Sequence, residues 1–230
     1  RDDVDFRRAS RPFGDNCGFT LSESAQFIVL MDDELALQLG ADIHGAVPEV
    51  FINADGFKKS ISAPGPGNYL CMAKAVASAM QLVGEEGVRL RSFVHAHGSS
   101  TPANRVTESA LLDRVAASFG IADWPVTAVK AYVGHSLASA SADQLIGALG
   151  SFKYQLIPAI QTIDAVADDV HRQHLRIAQV DVPRSEQPLE VCFINSKGFG
   201  GNNASAVVLA PQVVERMLRK RYGAERFATY

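Results

Sequence analysis

Short apolar runs alternate along this chain with longer stretches whose apolar positions recur every three or four residues. The runs read as buried strands and the stretches as helices. Residues 27–31 (FIVLM) and 47–53 (VPEVFIN) are predicted strands, with a short helix over 32–39 between them, capped by acids and stopped by Gly40. Residues 63–68 (APGPGN) form a loop by their Pro and Gly content, and an Ala- and Met-rich helix over 69–83 ends near Gly84. A strand over 89–96 (RLRSFVHA) runs straight into His97. Pro102 opens a helix that Gly120 closes, with Ala110, Leu111, Val115 and Phe119 on one face. Residues 125–129 form a short strand. Residues 134–149 form a helix of small residues punctuated by Leu137, Leu145 and Leu149. Such a composition is expected where another backbone packs closely. Two strands, 189–194 and 204–209, flank a glycine-rich loop, and residues 160–184 show neither period. Helices alternating with buried strands predict an α/β domain with a layered core.

Composition narrows the class. The chain has 230 residues, 47% hydrophobic and 20% charged, which excludes disorder and fibrous repeats and leaves room for one large or two small domains. A formal net charge of −3 argues against a nucleic-acid binder. No apolar run approaches the ~18 residues of a membrane span. Cys17, Cys71 and Cys192 are widely spaced and form no CxxC pair, against a disulfide scaffold or a common zinc site. No metal centre is expected, and the cysteine usage fits a reducing compartment, the cytoplasm. Arg1 is followed by no signal-like segment and reads as a cleavage point or a boundary.

Three motifs carry the candidate chemistry. His97-Gly98-Ser99-Ser100-Thr101-Pro102 follows a strand. Lys130-Ala131-Tyr132-Val133-Gly134-His135 lies between a strand and a helix. NSKGFGGNN, residues 195–203, joins two strands. Loops at strand ends are where α/β sheets build their sites. Taken singly, each motif has a plain alternative: a helix cap, a core histidine, a tight turn.

In this order the three resemble the β-ketoacyl-acyl-carrier-protein synthases of the thiolase superfamily, the condensing enzymes of fatty-acid and polyketide synthesis. HGSSTPANRVTE, KAYVGH and NSKGFGGNNA look like the family's HGTST, KxxxGH and NSFGFGGTNA blocks, and SRPF followed by Gly18-Phe19 looks like its SRPF…DGF segment. Asp55-Gly56 with Ala63-Pro64 resembles a further family loop. The resemblance runs over residues 10–211, leaving a basic tail over 212–230. It implies the C-terminal half of a thiolase-like fold, a layered α/β/α unit with a mixed five-stranded sheet. The family's nucleophilic Cys belongs to the other half. None of the three cysteines here sits in its small-residue turn.

The resemblance also implies roles. The reaction is a decarboxylative Claisen condensation of an acyl thioester with malonyl-acyl-carrier protein. His97 and His135 would be neutral donors to the malonyl enolate, His135 kept neutral by the helix it opens. Lys130 would support them and pair with a buried Glu108. Phe199 would gate the acyl channel, with Gly198 and Gly200 allowing close backbone approach. Ser99 and Thr101 would hold pantetheine, which arrives on the carrier protein, so no resident cofactor is implied. Expected partners are the nucleophile-bearing half, an acyl carrier protein and a second copy in a homodimer, with no nucleic acid or membrane. Arg7, Arg8, Arg11 and the basic stretch 216–221 could face an acidic carrier. Asn104-Arg105 replaces a usual Gly-Asp and Lys197 a common Phe, adding charge near the mouth. A different class of reading is a non-catalytic partner subunit of the chain-length-factor type. The presence of His97, Lys130 and His135 together weighs against it.

Overall fold

The computed structural model describes residues 5–15, 18–56 and 65–228. In chain order the elements are α1 (Asp33–Leu39), β1 (Ala46–Ala54), α2 (Pro66–Arg91), β2 (Ser92–His95), α3 (Pro102–Phe119) and β3 (Trp124–Thr127). There follow α4 (Lys130–Val133), α5 (Ala140–Tyr154), β4 (Leu156–Ile157), β5 (Leu175–Ile177), β6 (Val182–Pro183), β7 (Val191–Gly198), β8 (Asn202–Leu209), α6 (Pro211–Tyr222) and α7 (Ala224–Ala228).

Six strands form a mixed sheet in the order β1-β8-β7-β2-β3-β5, with β4 and β6 paired separately. β1, β8 and β7 are antiparallel; β7, β2, β3 and β5 are parallel. The sixth strand corrects the five expected. β5 is only three residues, buried-exposed-buried, inside the stretch that shows no period. A run that short carries too few alternations to read. Adjacent residues of β7 reveal the layers, since successive side chains point to opposite faces. Asn195 meets Asn68 of α2 and Glu108 of α3, whereas Ser196 meets Gln144 and Ser141 of α5. The sheet is therefore sandwiched between helices, as the resemblance implies.

Local signals explain most boundaries. Asp32 caps α1 by accepting the Leu35 N–H at 2.8 Å, and Gly40 closes it in the left-handed region. Gly84 (φ 78°, ψ 169°) breaks α2, but a second helical segment follows it up to Arg91. Hence the strand expected from residue 89 begins at Ser92. The Arg89–Glu85 and Arg91–Glu86 ion pairs sit on that extra turn. The small-residue helix also starts later than its sequence suggests, at Ala140, after α4 and a 3-10 turn over Leu137–Ser139. Its small residues serve the chain's own sheet: a Cβ on Gly147 would lie 2.9 Å from the buried His95 ring.

The largest departure is at 27–31. These residues form no strand, and Phe27 is 97% exposed, with Val29 and Leu30 each at 80%. The β-forming composition is real, but no strand lies alongside to complete a ladder. Val50 and Ile52 of edge strand β1 are exposed as well. No helix among the described residues is long and apolar enough to cross a membrane.

An apolar run this exposed drives association. In light scattering the purified chain is expected to form concentration-dependent assemblies. Phe27→Glu with Val29→Lys should reduce them while changing stability by less than about 0.5 kcal/mol, as expected for exposed positions. A chain that stays monodisperse without those changes contradicts this.

Candidate active site

The three motifs converge at one end of the sheet. β2 delivers His97 two residues past its last paired residue, β3 leads into Lys130 and His135, and β7 carries Asn195 and Lys197. The loop after β2 closes on a single carboxylate. Glu108, fully buried on α3, accepts the His97 N–H (2.7 Å) and the Gly98 N–H (2.9 Å). It also accepts Asn104 Nδ2 (2.9 Å) and Asn195 Nδ2 (2.7 Å). Four donors on two oxygens fill the acceptor positions of a carboxylate. Gly98 turns the loop at φ +49°, where a Cβ would meet that of Ala128 at 2.6 Å. Thr101 then caps α3 through the Asn104 N–H.

Lys130 is buried and donates from Nζ to the His97 carbonyl at 2.7 Å. The expected direct pairing with Glu108 is absent among the described ion pairs. The two charges instead hold opposite sides of the same residue, Glu108 at the His97 N–H and Lys130 at its C=O. Burial pulls the Lys130 pKa down to about 8, against the opposing pull of Glu108 and Asp143.

His97 and His135 face each other edge to face with ring centroids 5.5 Å apart. Each ring has one nitrogen occupied by a backbone donor. Lys197 N–H points at His97 Nδ1 (3.4 Å), and Leu137 N–H at His135 Nδ1 (3.1 Å). Nδ1 is thus the acceptor in both rings, so each carries its proton on Nε2. His97 Nε2 is buried without a hydrogen-bond partner. Burial, and then the charge of Lys130, holds His97 well below the usual imidazole range and His135 at about 4. The helix-end explanation for His135 is therefore replaced: α5 begins five residues later, and desolvation with Lys130 does the work. The His135 backbone is held by Thr20 O and Ser22 N, and Phe19 packs on its ring at 5.3 Å. The SRPF…GF segment thereby braces both histidine loops, since Arg11 N–H reaches Ser100 Oγ and Gly18 N–H reaches Ser100 O.

The remaining candidates fall differently. Phe199 sits at the tip of the β7–β8 hairpin, 76% exposed, with Gly200 and Gly201 at positive φ beside it and Gly198 ending β7. Ser99 is buried and lies 3.2 Å from Thr101, whose hydroxyl also serves as the helix cap. The Arg105 charge is taken up by a two-pronged pair with Asp169 at 2.7 and 3.0 Å. Arg8 pairs with Asp164, and Arg216 and Arg221 pair with Glu190 and Asp33, so much of the expected basic face is internally matched. Cys71 and Cys192 are buried in apolar surroundings, and burial pushes the Cys192 thiol above the ordinary range. Cys17, Ala63 and Pro64 lie outside the described residues, as does the Arg7 side chain.

Several residues at this site escaped sequence reasoning. Asn195 links Glu108 to Asn68, which donates to Asn195 Oδ1 at 2.8 Å. Gln144, fully buried, donates to the carbonyls of His95, Ala96 and Asn195 and accepts from Ser196. The one available signal was a lone long amide inside a helix of small residues.

A strand-end site built on paired neutral imidazoles, a buried lysine and a glycine hairpin is the site of a condensing enzyme. The chain belongs to the beta-ketoacyl synthase family: it matches the C-terminal domain of beta-ketoacyl synthases over residues 44–164. It is 76% identical over its whole length to the beta-ketoacyl-[acyl-carrier-protein] synthase FabY of Pseudomonas aeruginosa, of which it spans 36%. The crystal structure of that ketosynthase superposes on all of this chain with a TM-score of 0.96. The 3-oxoacyl-[acyl-carrier-protein] synthase 2 of Vibrio cholerae is 31% identical over 87% of this chain and 47% of its own length. The ishigamide ketosynthase/chain length factor is 29% identical, with a TM-score of 0.71 over 91% of this chain and 48% of its own. The chain thus spans between about a third and a half of the relatives it matches.

Two outcomes follow from the buried charges. Glu108→Ala leaves four donors unsatisfied and Lys130 without its counter-charge, and should cost about 3–5 kcal/mol in urea unfolding. A loss under about 1 kcal/mol would contradict the hub. Imidazoles held near pKa 4 against about 6.5 unfolded make the unfolded chain bind more protons between those values. Stability should therefore fall as pH drops from about 6.5 toward 4. A urea midpoint equal at pH 7 and pH 5 would contradict it.

Proposed function

We propose that this chain is the C-terminal half of a ketoacyl synthase and carries the decarboxylation machinery of its site. The observation behind this reading is the pair of imidazoles whose Nδ1 atoms are occupied by main-chain N–H groups, leaving two neutral Nε2–H donors. A malonyl thioester placed with its carbonyl oxygen between those donors loses CO2. The bond to the carboxylate breaks, and its electron pair moves into an enolate whose oxygen both imidazoles stabilise. The enolate carbon then attacks an acyl thioester on a cysteine, and the thiolate leaves.

Lys130 and Glu108 act as positioning residues, fixing His97 from its C=O and N–H sides. Phe199, Gly198 and Gly200 form the hairpin that would face the acyl thioester, and Ser99 and Thr101 would line the pantetheine path. The cysteine comes from the polypeptide half that this chain lacks. That half would also cover the exposed apolar run at Phe27 and supply a strand beside it. The donor is an acyl carrier protein, as in a ketosynthase of the same fold solved with its acyl-carrier protein. The assembled unit would be a cytoplasmic homodimer without a resident cofactor. A purely structural partner subunit has no need for a fixed Nε2–H pair, which weighs against that alternative.

The test is CO2 release from malonyl-carrier protein by the chain assembled with its nucleophile-bearing half. His97→Ala and His135→Ala should each lower it by roughly 10²–10³, while acyl transfer to the cysteine changes much less. Losses below about tenfold in both variants would overturn the assignment. Condensation by the 230-residue chain alone would overturn the need for the other half.

A further inference from the structure

We infer that Lys197 is a specificity-determining residue that binds the carboxylate of the malonyl thioester. This rests on the decarboxylation reading above. Lys197 is half-buried on β7, on the same strand face as Asn195, and its own N–H is the group that fixes the His97 tautomer. Its side chain runs to α3, where Nζ donates to Thr107 Oγ1 at 3.3 Å. The Thr107 hydroxyl spends its proton on the Ala103 and Asn104 carbonyls, so toward Lys197 it is an acceptor and favours the ammonium. The lysine charge reaches His97 strongly enough to disfavour a second proton there. A fixed cation therefore stands beside the imidazole that holds the thioester oxygen. The substrate's carboxylate lies one methylene beyond that carbonyl.

Arg105 is spent on Asp169, and the Lys130 ammonium is buried under the His97 backbone. Lys197 is the remaining cation of the motif region on the substrate's side of His97. Its contact belongs to the ground state. As CO2 leaves, negative charge moves from the carboxylate to the thioester oxygen, away from Lys197 and onto the imidazoles. Lys197 should therefore lower KM for malonyl substrates and select them over neutral acyl groups, without raising kcat.

The experiment measures CO2 release by the assembled protein from malonyl-carrier protein and from malonyl-pantetheine, which lacks the phosphate. Lys197→Met should raise KM for both by roughly tenfold, with kcat unchanged or higher, and Lys197→Arg should restore KM. Acyl transfer from a neutral acyl-carrier protein should be unaffected. An unchanged KM in an active Lys197→Met variant overturns the inference and leaves the condensation reading intact. A KM rise confined to the phosphate-bearing carrier assigns the lysine to phosphate and also overturns it. A wild-type protein that releases no CO2 from either substrate defeats the condensation reading and this inference together.

Discussion

The buried carboxylate of Glu108 is the constraint on which the rest of the site depends. Four donors from three segments converge on it: the loop after β2, the first turn of α3 and the middle of β7. An ionised group so far from water is tolerated only when its acceptors are filled and a cation stands near. Lys130 meets the second need from the far side of His97. Carboxylate and ammonium therefore clamp one peptide segment between them. The position of His97 is a by-product of satisfying a charge.

The same clamp explains the electrostatics. Lys130 is placed where it disfavours protonation of both histidines, and burial adds to the effect. The site obtains neutral donors without a hydrogen-bonding carboxylate on either imidazole. Such a carboxylate would have raised the imidazole pKa and produced an imidazolium at neutral pH. Asn104 belongs to this arrangement as well. Where related sequences commonly have Gly, its amide supplies one of the four donors to Glu108.

Much of this was legible in the sequence, for physical reasons that differ by element. α1 and α3 declared themselves through caps, Asp32 with Gly40 and Thr101 with Gly120, because cap chemistry is local. β1, β3 and the β7–β8 hairpin followed from apolar runs beside glycine. The residues 27–31 misled because composition records what a segment would do with a neighbour, not whether one is present. β5 was missed because three residues give no period. At the site, His97, Lys130, His135 and Glu108 were legible through their motifs. The direct Lys130–Glu108 pair was not realised, since sequence spacing does not say which atoms of His97 lie between them. Asn195 and Gln144 were invisible because their partners are backbone and amide groups distant in sequence.

The two occupied Nδ1 atoms have a broader consequence. Their partners are main-chain N–H groups, one at Lys197 on a paired strand and one at Leu137 in a turn. The protonation pattern of the catalytic rings is thus written into the backbone trace and not into any neighbouring side chain. Surrounding residues are free to diverge, retuning charge, channel shape and partner choice, while the proton inventory of the reaction stays fixed. A fold with that property can change what it condenses without changing how it condenses.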